Sequence, residues 1–245
     1  MERRSSRLAA VAAALGGATL LIGGGGVVLA TLGAVAPLRG FVAFAFAGGL
    51  LAILAVVVSG VALRATRAGS GLGGRDRAWF GLVAGGVMLL AVLRGASAGF
   101  GLPRINDITT SPADPPQFEY AKRDPATRGR DYAYPPAFAD VQRAAYPDLA
   151  PIAVPGTPDE VYQKTLAAVQ RLGLEVTLSD KSRGVIEARA VSKLFHFVDD
   201  VAIRIRSGEG GSIVDVRSKS RDGKGDLGAN ASRIRAIAAE LRGTT

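Results

Sequence analysis

The pattern of apolar and polar positions divides the chain into two dissimilar parts. Three apolar runs occupy the N-terminal part, and each has the ~20 residues that a helix needs to cross a bilayer. These runs predict three transmembrane helices over 8–36, 41–63 and 78–100. Neither histidine nor a carboxylate interrupts them, which argues against a proton relay or an ion path through the spans.

Positive charge flanks the apolar runs unevenly. Arg3, Arg4 and Arg7 precede the first run, and Arg39 is the single charge between the first two. The segment between the second and third runs carries Arg64, Arg67, Arg75 and Arg77. By the positive-inside rule, the N-terminus and this segment are cytoplasmic. Residues 101–245 are then expected on the periplasmic side of a bacterial inner membrane.

The first apolar run permits a second interpretation, a cleavable signal peptide. Arg3 and Arg4 would form its charged region, and the small residues 34–36 its cleavage site. However, the run is too long for such a peptide, Pro37 would follow the cut, and two further runs come after it. An uncleaved membrane anchor is therefore favoured.

Glycines within the third run recur at helix-packing spacing. Gly81 and Gly85 form one GxxxG pattern, and Gly95 and Gly99 form another. Such patterns allow two helix backbones to approach closely. They fit packing inside the three-helix unit, and they fit a homo-oligomer formed through the same faces equally well.

Proline and aromatic residues mark the segment 101–156, called the arm below. Eleven of the twelve prolines in the chain lie between Pro103 and Pro158, interleaved with tyrosine and phenylalanine. This composition favours an extended arm laid on a folded body. A disordered spacer between two domains is the alternative.

Residues 157–245 predict a small α+β domain. Thr157 and Glu160 form a capping box around Pro158, and the helix that starts there is expected to stop at Gly173. Alternation then predicts four strands, and a last helix begins near Leu227. The order of helix, four mainly antiparallel strands and helix favours a sheet with both helices on one face. The strands are expected over 174–178, 185–190, 201–206 and 213–220.

The fold class is thus an N-terminal three-helix transmembrane region (1–100), the proline-rich arm (101–156) and a C-terminal α+β domain (157–245). The net charge of +9 suggests nucleic acid, but nine of the 30 basic residues fall in the first hundred positions with only two acidic ones. The rest of the chain is nearly neutral, so nucleic-acid binding is not expected. Cysteine is absent, which excludes disulfides and thiol chemistry, and neither a cofactor nor a metal is predicted.

Polar residues are dense on the last two predicted strands and at the start of the last helix. Cross-strand Asp–Arg pairs that hold the sheet together are one interpretation. The other interpretations are a binding site for an anionic small molecule or lipid headgroup, and a surface that binds an envelope protein. The expected ligand-binding residues are Arg204, Arg217, Ser218, Ser220, Arg221, Lys224 and Asn230. The expected structural polar network comprises Asp199, Asp200, Asp215, Asp226 and Arg233.

A catalytic interpretation has less support. A membrane-tethered hydrolase or metal-dependent enzyme would have to use Asp199, Asp200, Asp226 and the serines. Adjacent strand residues point to opposite faces, so Asp199 and Asp200 are not expected to share one cation. No serine has an evident histidine and aspartate partner set, and no catalytic residue is predicted.

Several blocks of this sequence together resemble one known family. They occur in order as 103–110, 115–118, 146–151, 184–188, 197–201, 215–221, 226–231 and 233–234. Two of these blocks are Phe197-Val-Asp-Asp-Val201 and Asp215-Val-Arg-Ser-Lys-Ser-Arg221. Over the whole series of blocks, the chain is similar to the domain of unknown function 1499 family. The resemblance implies a bacterial envelope protein whose arm belongs to the domain, and it implies no catalytic residues. We therefore expect a membrane-anchored protein whose extracytoplasmic domain binds an anionic ligand, a lipid headgroup or an envelope partner.

Overall fold

The computed structural model describes residues 4–243, which divide into two compact units. The first unit holds the three long apolar helices and ends at Ala98. The second begins at Gly99, and only the hairpin tip Lys193–His196 is grouped with the first unit. Arg3, one of the predicted flanking charges, lies outside the described residues.

The first unit contains three helices that are long and apolar enough to cross a membrane, as predicted. They span Arg7–Thr31, Pro37–Ala65 and Arg75–Ser97. Two of them include a π-helical stretch, and strands β1 (Arg4–Ser5) and β2 (Leu72–Gly73) pair in parallel. The helical segments are α1 (Arg7–Thr19), π-helical Leu20–Gly24, α2 (Gly25–Thr31), α3 (Pro37–Val42), π-helical Ala43–Gly48, α4 (Gly49–Ala65) and α5 (Arg75–Ser97).

The turn between the first two helices begins before the end of the first apolar run, which extends to residue 36. The first helix ends at Thr31, and Gly33 adopts a positive φ of 69° in the turn that follows. Pro37 then occupies the first turn of the second helix, where its missing N–H costs nothing. Arg39 consequently lies inside that helix and not in the loop where the sequence pattern placed it.

Small residues let the three helices approach closely within the first unit. A Cβ atom on Gly81 would lie 2.3 Å from the backbone oxygen of Ala12, a distance that real Cβ atoms do not reach. Thr19 donates its hydroxyl to the backbone oxygen of Gly48 at 2.6 Å, joining the first two helices. Gly81 of the predicted GxxxG pattern is therefore used for packing inside this unit.

The second unit is built on a six-stranded antiparallel sheet. Its strand order is β5-β6-β7-β8, and two short strands, β3 and β4, both pair with the outer edge of β8. The strands are β3 (Asp107–Thr109), β4 (Ile152–Val154), β5 (Glu175–Asp180), β6 (Val185–Val191), β7 (Val198–Gly208) and β8 (Gly211–Ser220). The helices are α6 (Tyr120–Arg123), the 3₁₀ turn Pro125–Thr127, α7 (Phe138–Ala145), α8 (Pro158–Arg171) and α9 (Ala229–Arg242).

The predicted order of helix, four antiparallel strands and helix is confirmed. Thr157 and Glu160 make both reciprocal bonds of the capping box that starts α8. Gly184 in the β5–β6 turn has a φ of +65°, and a Cβ there would lie 2.3 Å from the backbone oxygen of Ile205. Only glycine fits this turn. Beyond the predicted elements, the arm adds β3 and β4 to the sheet.

The sheet has a different covering on each face. Helices α8 and α9 pack on one face over a core that includes Val201, Ile203 and Ile234. On the other face, Phe118 and Tyr132 of the arm are buried against Ala202 of β7. The second unit therefore has three layers, with the helices and the arm on opposite sides of the sheet.

Candidate functional site

The polar residues singled out in the sequence lie on both faces of the sheet. Because side chains alternate along a strand, neighbours in sequence are directed to opposite layers. The helix-facing group, with its partners on α9, comprises Asp199, Ser218, Ser220, Asn230 and Arg233. The arm-facing group comprises Asp200, Arg204, Asp215, Arg217 and Arg221. The predicted ligand-binding residues other than Lys224 thus lie on the two opposite faces of the sheet and not in one site.

Arg217 is fully buried at the centre of the arm-facing group. Its Nε and Nη2 atoms donate to the two oxygens of Asp107 on β3, at 2.9 and 2.7 Å. Its remaining bonds go to the backbone oxygens of Pro116 and Tyr132, at 3.2 and 2.9 Å. The guanidinium also lies over the ring of Phe118, 4.8 Å from its centroid. Arg217 therefore clamps three points of the arm onto β8.

Asp200 and Arg221 form a second contact between the sheet and the arm. Arg221 donates to both oxygens of Asp200, at 2.9 and 2.8 Å, and also reaches Asp124 of the arm at 3.2 Å. The hydroxyl of Tyr132 donates to Asp200 at 2.5 Å. Burial, and after it the bond to Asp200, raises the pKa of Tyr132, so the tyrosine keeps its proton and remains a donor.

Arg204 takes part in a third network on the same face. Its Nη2 atom lies 2.9 Å from Asp215, whose side chain is fully buried, and Arg206 contacts the same oxygen at 3.1 Å. Arg204 also pairs with Asp114 of the arm, at 2.9 Å. The Asp–Arg pairs on β7 and β8 thus neutralise charge across neighbouring strands.

On the helix-facing side, Asn230 links β8 to the start of α9. Its side chain accepts from Ser218 at 2.7 Å and donates to Ser220 at 3.0 Å. Arg233 donates to Ser218 and reaches Asp199 at 2.7 Å. Asp226 accepts from the backbone N–H groups of Gly228 and Asn230, both at 2.9 Å, and caps the helix.

Three further buried polar residues of this region are not indicated by the sequence pattern. Glu187 on β6 accepts the backbone N–H groups of Glu119, Tyr120 and Ala121, at 2.5 to 3.1 Å. Gln142 of α7 bonds both backbone groups of Thr109, and Asp107 holds Arg217. Their partners are distant in sequence, so no local pattern points to these roles.

A cavity of about 260 Å³, called the basic cavity below, opens where β8 ends. Three cationic side chains line it, together with one carboxylate, two other polar side chains and a tyrosine. The lining residues are Asn106, Arg130, Asp131, Tyr132, Lys219, Ser220 and Arg221. Ser220 and Arg221 are the only two of the predicted ligand-binding residues among them, and Lys224 lies exposed in the turn beyond β8.

The acidic residues that a hydrolase or metal enzyme would need are separated. Asp199 binds Arg233 under α9, Asp200 binds Arg221 under the arm, and Asp226 caps α9. Within residues 4–243, no group of three or more histidine or carboxylate side chains is arranged to hold a metal ion.

The fold and this region define a class of protein: a chain with three apolar helices, compatible with a membrane protein, followed by an antiparallel α+β domain that is clamped to its own arm. A family model described as "Protein of unknown function (DUF1499)" matches residues 107–241, and the chain belongs to this family. The match begins at the residue that holds Arg217 and includes most of the arm. A comparison with curated proteins gives no match.

Proposed function

We propose that this is a membrane-anchored envelope protein whose C-terminal domain binds a small anionic group, a lipid headgroup or a free anion, in the basic cavity. The observation that carries the proposal is the lining of that cavity, where Arg130, Lys219 and Arg221 meet the carboxylate of Asp131 and are each paired with a further aspartate outside the lining. The chemistry expected is recognition of a phosphate or carboxylate by charged N–H donors.

The aspartates that pair with Lys219 and Arg130 do not occupy all the N–H groups of these two side chains. Lys219 directs one of its three N–H groups to Asp107, at 3.1 Å. Arg130 bonds Asp222 through Nη2 alone, at 3.0 Å, in a pair exposed enough to be worth ~1 kcal/mol or less. An incoming anion can therefore replace Asp222 on Arg130 at little cost.

We also propose a location for the α+β domain, on the periplasmic side of a bacterial inner membrane. Arg67 in the loop between the second and third helices, with Arg64 and Arg75 in the helix turns that border it, supports a cytoplasmic position for that loop. An odd number of spans then carries the α+β domain to the periplasmic side of an inner membrane. In that position the basic cavity would meet envelope lipids and solutes.

Native mass spectrometry of the full chain, extracted with its own lipids, tests the proposed binding. Arg130→Gln removes a lining cation, and Arg128→Gln removes an exposed arginine two residues away that does not line the cavity. We expect a discrete adduct on the native protein and on Arg128→Gln, reduced about tenfold on Arg130→Gln. The adduct mass distinguishes a lipid from a free anion. Bare protein in all three samples, or equal adducts on both variants, contradicts the proposal.

A further inference from the structure

A second cavity, called the α9 cleft below, lies between α9 and the segment that leads into β4. It measures about 170 Å³ and shares no residue with the basic cavity. Much of its wall is apolar and comes from Leu149, Ile152, Ile234 and Ala238. The cleft therefore offers an apolar floor on the helix-facing side of the sheet.

The polar atoms at the floor of the α9 cleft are already in use. Thr110 is buried, and its backbone N–H donates to the oxygen of Val216 at 2.8 Å. Its hydroxyl oxygen accepts the backbone N–H of Val216 at 2.9 Å. A ligand can thus bury an apolar chain here without having to satisfy the polar groups of Thr110.

The rim of the cleft carries two arginines, of which one is ion-paired and the other is not. Arg235 is held by Asp148 through two bonds, of 2.6 and 2.8 Å, and lies 5.5 Å from the ring centroid of Tyr146. Arg242 lies seven residues further along the same helix and is exposed at the rim. Among the residues that the structure describes, the side chain of Arg242 has no hydrogen-bond or ion-pair partner. One cation of the cleft is therefore neutralised, and one is available.

From these features we infer that the α9 cleft binds an amphipathic anion, a carboxylate or phosphate monoester on a short aliphatic chain. The chain lies on the apolar floor, and the charged head pairs with Arg242. The volume is smaller than the roughly 300–1,000 Å³ of pockets for drug-sized ligands, which limits the buried part to a few carbons. This site stands independently of the basic cavity, because the two share no lining residue and the α9 cleft alone offers an apolar floor for an aliphatic chain.

Methyl NMR of the full chain in lipid nanodiscs, with hexanoate as the probe, tests this inference. Ile152 and Ile234 line the cleft, whereas Ile186 and Ile203, which belong to the same buried core, do not. We expect hexanoate to shift the δ1 methyl signals of the first pair and not of the second. For a ligand of this size the dissociation constant should be about 1 mM. Unmoved Ile152 and Ile234 signals at ten times that concentration would overturn the inference.

Two variants separate the head of the ligand from its tail. Arg242→Gln should weaken hexanoate binding about tenfold and leave the binding of neutral hexanol unchanged, whereas Arg128→Gln should alter neither. Ala238→Leu fills the floor and should abolish the shifts caused by both probes. If Arg242→Gln binds hexanoate as tightly as the native chain does, the cleft is an apolar cavity only and the anion site is disproved.

Discussion

Arg217 shows why a strand of a small domain can carry a wholly buried charge. A desolvated arginine is stable only when its donors and its charge are matched, and here one carboxylate and two backbone oxygens match them. All three partners belong to residues 107–132. The Arg217 side chain therefore holds the arm against the sheet. Because it is buried, a ligand in solvent cannot reach it.

Arg217→Met should lower the free energy of unfolding by about 3–5 kcal/mol, because it leaves Asp107 buried with Lys219 as its remaining ion-pair partner. Urea unfolding of the full chain in detergent, followed by circular dichroism, measures the loss. The matched control is Arg171→Met, which removes an exposed guanidinium from the partly buried Glu240 and should cost about 1 kcal/mol. Similar losses for the two variants would contradict the role given to Arg217.

The phenol of Tyr134 should make stability fall at alkaline pH. Burial, and after it the charge of Asp107, raises the pKa of Tyr134 from 10.0 to about 12. Between these values the folded chain retains a proton that the unfolded chain releases, so unfolding becomes easier as the pH rises. Tyr134→Phe should therefore lose less stability than the native chain between pH 10 and 12. Parallel curves of stability against pH for the two proteins would contradict this expectation.

Among the elements, α6 has only four residues, far fewer than an isolated helix needs to be stable in water. Glu187 of β6 supplies what the helix lacks, because its carboxylate binds three backbone N–H groups at the helix start. This long-range cap fixes the middle of the arm to the sheet.

Glu187→Ala should release α6 while the sheet remains folded. Hydrogen exchange of the amides of residues 119–121 should become at least ten times faster, whereas the amides of β7 should stay protected. Glu175→Ala, on the neighbouring strand, removes an exposed carboxylate paired with Arg189 and should leave residues 119–121 unchanged. Unaltered exchange at these amides in Glu187→Ala would show that other contacts hold the helix.

In the first unit, two glycines of α5 should respond in opposite ways to the same change. Gly81→Ala places a methyl group 2.3 Å from the oxygen of Ala12 and should lower the thermal unfolding temperature in detergent. Gly86→Ala meets no atom within 4 Å and should leave the temperature unchanged or raise it, because alanine favours helix by about 1 kcal/mol. A loss of stability in Gly86→Ala alone would mean that the helices pack through the other face.

Elements with a local signal could be predicted from the sequence, and those held by distant partners could not. The capping box at Thr157 and the alternation from 185 to 220 predict α8 and the central strands, because these patterns are set by residues close together. Strands β3 and β4 have three residues each and exist by pairing with β8, about 110 and 60 positions away. Alternation also predicts the face of the sheet on which Arg204 and Arg217 lie. No local sequence pattern identifies the arm residues that contact them.

For the whole molecule, the proposed orientation predicts which loops are accessible from outside the cell membrane. The chain has no cysteine, so Ser70→Cys and Glu209→Cys each introduce a single thiol, at exposed positions between the last two spans and in the α+β domain. In spheroplasts, a membrane-impermeant maleimide should label Glu209→Cys and should label Ser70→Cys only after lysis. The reverse pattern would place the domain in the cytoplasm.

The pairing of β3 with β8 also determines when the domain can form during synthesis. Asp107 leaves the ribosome 110 residues before its partner Arg217. Until β8 is made, the arm has neither its clamp nor the strand edge that it completes. Contacts so far apart in sequence form slowly, and an unpaired segment in the meantime is open to proteases and to aggregation. We therefore expect truncation before residue 217 to yield an unfolded, rapidly degraded product instead of a smaller stable domain.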